Sequence, residues 1–151
     1  DGYHYDDAVL QARGRRPWKG APDTFDVGGL RSTLTRLKKN DEPEVAVPVF
    51  DRSIEIARAG GAIIPASVRL VVCEGNYLLL NSTPWDLLAP LWDITVMVAV
   101  AEDELRRRLT ARWLHYGLNA DEIAHKLDAN DLPNGRRVMA DSRAADITVQ
   151  D

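Results

Sequence analysis

The chain has 151 residues, 45% of them hydrophobic and 28% charged, a size and balance that support one globular domain and exclude a disordered or disulfide-stapled chain. Its formal net charge of −4 offers no broad basic surface for nucleic acid, and its longest apolar stretch, residues 94–101, is too short to span a bilayer. The single Cys73 precludes an internal disulfide, so composition points to a cytoplasmic protein without nucleic-acid or membrane partners.

From the amino end, residues 6–13 read as a short helix stopped by Gly14, followed by a basic loop punctuated by Pro17, Gly20 and Pro22. Asp26 is placed as the N-cap of a helix reaching Lys39, on which Leu30, Leu34 and Leu37 recur at helical spacing. Residues 45–50 read as a strand broken by Pro48, hence an edge or a bulge, and Gly60-Gly61 as a turn. Residues 68–73 form an apolar run that ends abruptly in Glu74-Gly75-Asn76, the pattern of a central parallel strand whose carboxyl end faces a ligand. Pro84 opens a short helix, capped by Ser82 or Thr83, and residues 94–100 read as a second buried strand. A periodic helix follows over residues 102–116, with Leu105, Leu109, Trp113 and Tyr116 on one stripe and Arg108 and Arg112 flanking it. Asn119 and Glu122 begin a further helix through Ala129, and residues 147–149 form a last strand. Strands alternating with helices predict a parallel sheet covered on both faces.

Several residue types in this pattern carry chemistry, each with a plainer reading beside it. Arg108 and Arg112, one turn apart, either clamp an anion between two planar donors or belong to a solvated basic helix with acidic residues at its start. Asp1 before Gly2 is a turn former or a carboxylate for a metal or a hydroxyl proton, and Glu74 presents the same choice. His4 between Tyr3 and Tyr5 is a ligand, a base or a structural residue, while Phe50 is core or pocket wall and Lys19 solvated or site-bound. His115, His125 and Cys73 lack zinc-ligand spacing. No Gly-x-Ser-x-Gly, no dinucleotide fingerprint and no Gly-x-x-x-x-Gly-Lys-[Ser/Thr] occurs.

The ordered set Asp1-Gly2-Tyr3-His4, Arg13-Gly14, Lys19-Gly20-Ala21-Pro22-Asp23-Thr24-Phe25-Asp26, Val47-Pro48-Val49-Phe50-Asp51-Arg52, Glu74-Gly75-Asn76-Tyr77-Leu78-Leu79, the arginine helix and Asn130-Asp131-Leu132-Pro133-Asn134-Gly135 resembles the P-loop kinases of the phosphoribulokinase/uridine kinase/pantothenate kinase group. The bacterial proteins described as nucleoside/nucleotide kinase-like or fructose-transport kinases are the nearest in pattern. The resemblance implies a three-layer α/β fold, a parallel sheet with helices on both faces, over residues 1–151 as one kinase domain with a helical lid at about residues 102–130. Its first strand and P-loop are expected upstream of Asp1, so this stretch alone is expected to be poorly stable and inactive.

By the same resemblance, Asp1 is the catalytic base and Glu74 organises Mg²⁺. Arg108 and Arg112 neutralise charge on the phosphates of ATP, and a Pro133-Asn134 loop packs near adenine. Tyr3, His4, Lys19, Phe50 and Arg52 surround a small-molecule hydroxyl acceptor, which is a sugar, nucleoside or pantothenate-like compound. The alternative is a noncatalytic nucleotide-binding or regulatory module on the same fold.

Overall fold

A computed structural model describes residues 1–150, which divide into two compact units: residues 1–78 with 83–91, and residues 79–82 with 92–150. In the first, α1 (Asp7–Ala12) starts where the Asp6 carboxylate accepts from Ala8 N, and it ends before Gly14, whose φ of 65° turns the chain back. Two single-turn 3₁₀ segments, Arg16–Trp18 and Pro22–Thr24, follow in the basic loop. Asp26 caps α2 (Val27–Lys39) through Gly29 N, as its position before the leucine repeat predicts.

The strand β1 (Glu44–Asp51) pairs antiparallel with β2 (Ile56–Pro65), and the register slips between Val47 and Val49, at Pro48. Proline has no N–H to give the ladder, so the bulge falls where the sequence places it. Gly60-Gly61 is a different matter: it lies inside β2, and the hairpin reverses over residues 52–55 instead. Gly60, at φ 64°, takes up the slip opposite Pro48, while a Cβ on Gly61 would stand 2.7 Å from Val49 Cβ and 3.1 Å from its backbone nitrogen. Gly61→Val should therefore destabilise the protein by about 1–3 kcal/mol, read as a lower urea midpoint.

Residues 68–73 correct the expectation of a buried central strand. They join no ladder among the described residues, and Leu70 and Val72 are 80% and 84% exposed. A central parallel strand has a neighbour on each side, and the ladder described in this unit is the antiparallel hairpin. The core of the unit gathers Leu10, Val27, Leu30, Val45, Tyr77, Trp85 and Leu88, the last two from a 3₁₀ segment, Trp85–Leu91, that follows Pro84.

In the second unit, β3 (Val96–Ala99) pairs parallel with β4 (Ile147–Gln150). The helix α3 (Glu102–His115) lays Leu105, Leu109 and Trp113, with Leu118, onto buried Ile123, Leu127 and Leu132. Tyr116, placed on the same stripe by the 100° rule, is 57% exposed, because it follows the last helical residue and escapes the periodicity. A full capping box between Asn119 and Glu122 starts α4 (Ala120–Lys126). The chain then stays helical through a π-turn, Leu127–Asp131, into α5 (Leu132–Asp141). Pro133 and Asn134 are thus in a helix, not a loop, just where the π-turn passes into α5. No helix among the described residues is long and apolar enough to cross a membrane.

Candidate active site

The first unit brings Asp1, His4, Lys19, Phe50 and Arg52 together. Asp1 is held at both ends: its carboxylate accepts from Arg52 Nη2, and its carbonyl accepts from the backbone N and the ring Nδ1 of His4, at 3.1 and 2.9 Å. Lys19, 12% exposed, donates to Asp7 Oδ1 at 2.7 Å and to the Glu55 carbonyl at 3.0 Å. Lys19 and Arg52 both lie over the Phe50 ring, 5.4 and 5.5 Å from its centroid, and the His4 ring is 5.6 Å away.

His4 also stacks at 4.1 Å on Phe25, with which it forms a backbone bridge. Burial, reinforced by the positive charges of the amino group of Asp1, then Lys19 and Arg52, and opposed by Glu55, lowers its pKa to about 4, so the ring is neutral at physiological pH. Because Nδ1 donates to a carbonyl, the neutral ring leaves Nε2 as a hydrogen-bond acceptor. The folded pKa lies below the ordinary 6.5, so the unfolded chain binds more protons between about pH 4 and 6.5, and stability falls as pH drops through that window. His4→Gln should narrow the difference between denaturation midpoints taken at about pH 5 and about pH 7.

Tyr3 points elsewhere: its phenol is buried beside Thr33 of α2, and burial raises its pKa. Glu74 is exposed and makes no ion pair among the described residues, though its charge, after burial, helps to raise the neighbouring Cys73 thiol. No group of three metal-ligating side chains occurs among the described residues. A lone carboxylate still fits Mg²⁺, which keeps most of its ligands as water and phosphate oxygens.

Sequence reasoning missed the parts that hold this arrangement. Asp7, on α1, accepts from both Lys19 and Arg16, which lowers its pKa, and nothing in a spacing of twelve residues across a loop signals that pairing. Tyr77 Oη donates to the Gly20 carbonyl at 2.6 Å and Trp85 Nε1 to the Pro22 carbonyl at 3.1 Å, pinning the loop that carries Lys19 and Phe25. Their rings and that of Phe25 lie 5.5–5.8 Å apart in pairs.

In the second unit, Arg108 Nε donates to Glu104 Oε1 at 2.6 Å. Arg112 lies over Trp113 and Tyr116, 5.2 and 6.0 Å from their centroids. Hydrogen bonds from Arg107 and then Arg108 lower the Glu104 carboxyl to about 2. Asn134 Nδ2 donates to Asn130 Oδ1 at 2.9 Å, an i to i−4 contact along the helix.

No protein-family model matches the chain. An uncharacterized Escherichia coli protein, YggC, is 33% identical over 150 residues, 99% of this chain and 61% of the E. coli protein. An Aspergillus versicolor protein named ATP-dependent kinase-like protein notR′ is 32% identical over 148 residues, 92% of this chain and 86% of its own length. A solved structure from Silicibacter sp. TM1040, provisionally named a fructose transport system kinase, is 40% identical, with a TM-score of 0.92 over 99% of this chain and 71% of that one. The provisionally assigned P-loop-containing kinase YFH7 of Saccharomyces cerevisiae, circularly permuted and 21% identical, shares the fold with a TM-score of 0.86, covering 100% of this chain and 56% of that one.

The chain belongs to the family of these ATP-dependent kinase-like proteins. Its fold is the α/β fold of that family. The chain spans 61% and 66% of the first two curated relatives, so family membership is a property of the region in hand.

Proposed function

We propose that the full-length protein is a cytoplasmic ATP-dependent kinase that transfers the γ-phosphate to a hydroxyl of a small polar metabolite. The observation that carries this reading is the Asp1–Arg52 pair beside Phe50, His4 and Lys19: a carboxylate with fixed orientation, an aromatic wall and an acceptor nitrogen in one cluster. Phosphoryl transfer asks for little covalent chemistry from a protein, mostly an aligned hydroxyl and stabilised charge. Asp1 takes the hydroxyl proton, Arg52 fixes the direction of its carboxylate, and His4 Nε2 accepts from another hydroxyl of the acceptor. Glu74 would hold Mg²⁺, which when bound with ATP supplies charge neutralisation at the phosphates. Arg108 and Arg112 face the nucleotide's negative charge, with Pro133 and Asn134 on the helix expected to lie near adenine.

The charges around Phe50 bear on the acceptor. Lys19 is bonded to Asp7, Arg52 to Asp1 and Arg58 to Asp51, so the cations there have carboxylate partners. Paired charges of both signs beside an aromatic ring complement a neutral polyhydroxyl compound better than an anion. A sugar or nucleoside is therefore favoured over a carboxylate such as pantothenate. The test is ADP release by the full-length protein with ATP and Mg²⁺ in the presence of pooled sugars, nucleosides or pantothenate. Release dependent on a sugar or nucleoside pool is expected. ATP binding without turnover in any pool would favour the noncatalytic module instead.

A further inference from the structure

Of the two cations over Phe50, Lys19 is far more withdrawn from water, 12% exposed against 55% for Arg52. An ammonium so placed keeps its charge only beside a counter-ion, and Asp7, the first residue of α1, supplies one. The Asp7 carboxylate is bound at both oxygens: Oδ1 accepts from Lys19 Nζ at 2.7 Å and Oδ2 from Arg16 Nε at 2.6 Å. Turning it away from Lys19 would break both bonds. Lys19 Nζ gives a second N–H to the Glu55 carbonyl at 3.0 Å, and its third has no partner among the described residues. Nζ lies 5.4 Å from the centroid of Phe50, the ring that His4 and Arg52 also flank.

A shielded lysine in the wall of a ligand site is ordinarily the seat of a ligand's carboxylate, because an ion pair gains most where water is excluded. Here the chain itself takes that seat. A ligand carboxylate approaching the third N–H would meet the Asp7 carboxylate across a single ammonium, two like charges sharing one counter-charge, which strongly disfavours it. A hydroxyl oxygen accepts from the same N–H without that repulsion. We infer that Asp7 sets the charge of the acceptor: as the built-in anion of Lys19 it admits uncharged hydroxyl compounds and turns away acidic ones. Asp7 acts through Lys19 and is a positioning residue, and only the nature of the excluded ligand, an acidic acceptor, rests on the kinase reading.

Two measurements on the full-length protein test this, and the first needs no turnover. Asp7→Ala removes a carboxylate of formate's own size, so formate, titrated by NMR at constant ionic strength, should bind the variant at least about tenfold more tightly than wild type. Adding Lys19→Met should abolish that binding. In the second measurement the neutral acceptor is competed by its uronic acid, which carries a carboxylate in place of a hydroxymethyl group. Asp7→Asn should lower the inhibition constant of the acid about tenfold relative to the KM of the neutral acceptor, and Asp7→Glu, which keeps the charge, should hold the wild-type ratio. A purely structural Asp7 would weaken both compounds together. An unchanged ratio in Asp7→Asn, or formate binding no tighter in Asp7→Ala than in wild type, would overturn the role of Asp7. Lys19-dependent formate binding by Asp7→Ala, in a protein without acceptor-dependent ADP release, would sustain the built-in anion and overturn the kinase reading. Acceptor-dependent release with an unchanged ratio would do the reverse.

Discussion

Asp1→Asn in the full-length protein should lower acceptor-dependent turnover by about 10²–10⁴-fold, the usual contribution of a positioned general base, while leaving the dissociation constant of ATP within about twofold. The amide has the size of the carboxylate and its oxygen still accepts from Arg52, so the cluster keeps its shape. Its nitrogen cannot take a proton. A loss in kcat without a loss in nucleotide binding separates proton removal from nucleotide binding. Alanine at the same place would confound the two, because it would leave the Arg52 guanidinium without its carboxylate. The measurement is a kcat and a calorimetric ATP titration on the same preparation. Turnover surviving in Asp1→Asn would mean that another group takes the proton.

Trp85→Ala is expected to have the largest effect on stability, about 3–5 kcal/mol, because Trp85 is 5% exposed and joins three features at once. Its ring packs at 5.7 Å on Phe25 and 5.5 Å on Tyr77, and its Nε1 donates to the Pro22 carbonyl. Truncation opens a cavity and leaves that carbonyl without its donor. Trp85→Phe keeps most of the ring and loses the hydrogen bond, so it should cost about 1–3 kcal/mol. Urea denaturation of the two variants against wild type reads both terms. Phe25 stacks on His4, so Trp85→Ala should also weaken acceptor binding before the protein unfolds. Equal midpoints for Trp85→Ala and wild type would contradict this account of the first unit's core.

Much of the local structure is legible in the chain because its signals are short-range. Asp26 before the leucine repeat, Asn119 with Glu122, Gly14 after a short helix and Pro48 in a strand each act within four residues, and each stands where the sequence puts it. The errors arise where an outcome depends on distant partners. Gly60-Gly61 reads as a turn locally, yet the glycines absorb a bulge imposed by Pro48 on the facing strand. Residues 68–73 have the composition of a central strand, but a ladder is a property of neighbours rather than of composition. Pro133 and Asn134, expected in a loop by resemblance, instead lie in α5, which continues directly from the π-turn.

The candidate site divides in the same way. Asp1, His4, Lys19, Phe50 and Arg52 are singled out in the sequence by resemblance, and the structure gathers them in one unit. What sets their orientation is not in the motifs: Asp7, Tyr77 and Trp85 act through bonds to partners 12, 57 and 63 residues away. Likewise, the stripe on α3 identifies Trp113, but the seating of Lys126 on it depends on how α4 packs.

The central claim, that Asp1 serves phosphoryl transfer to a small hydroxyl compound, is tested most directly by following labelled γ-phosphate from ATP in full-length wild type and Asp1→Asn with the sugar and nucleoside pools. Label appearing in a phosphorylated acceptor with wild type, and falling by about 10²-fold or more with Asp1→Asn, is the predicted result. Label transferred equally by both proteins, or released only as inorganic phosphate whatever acceptor is present, would contradict it.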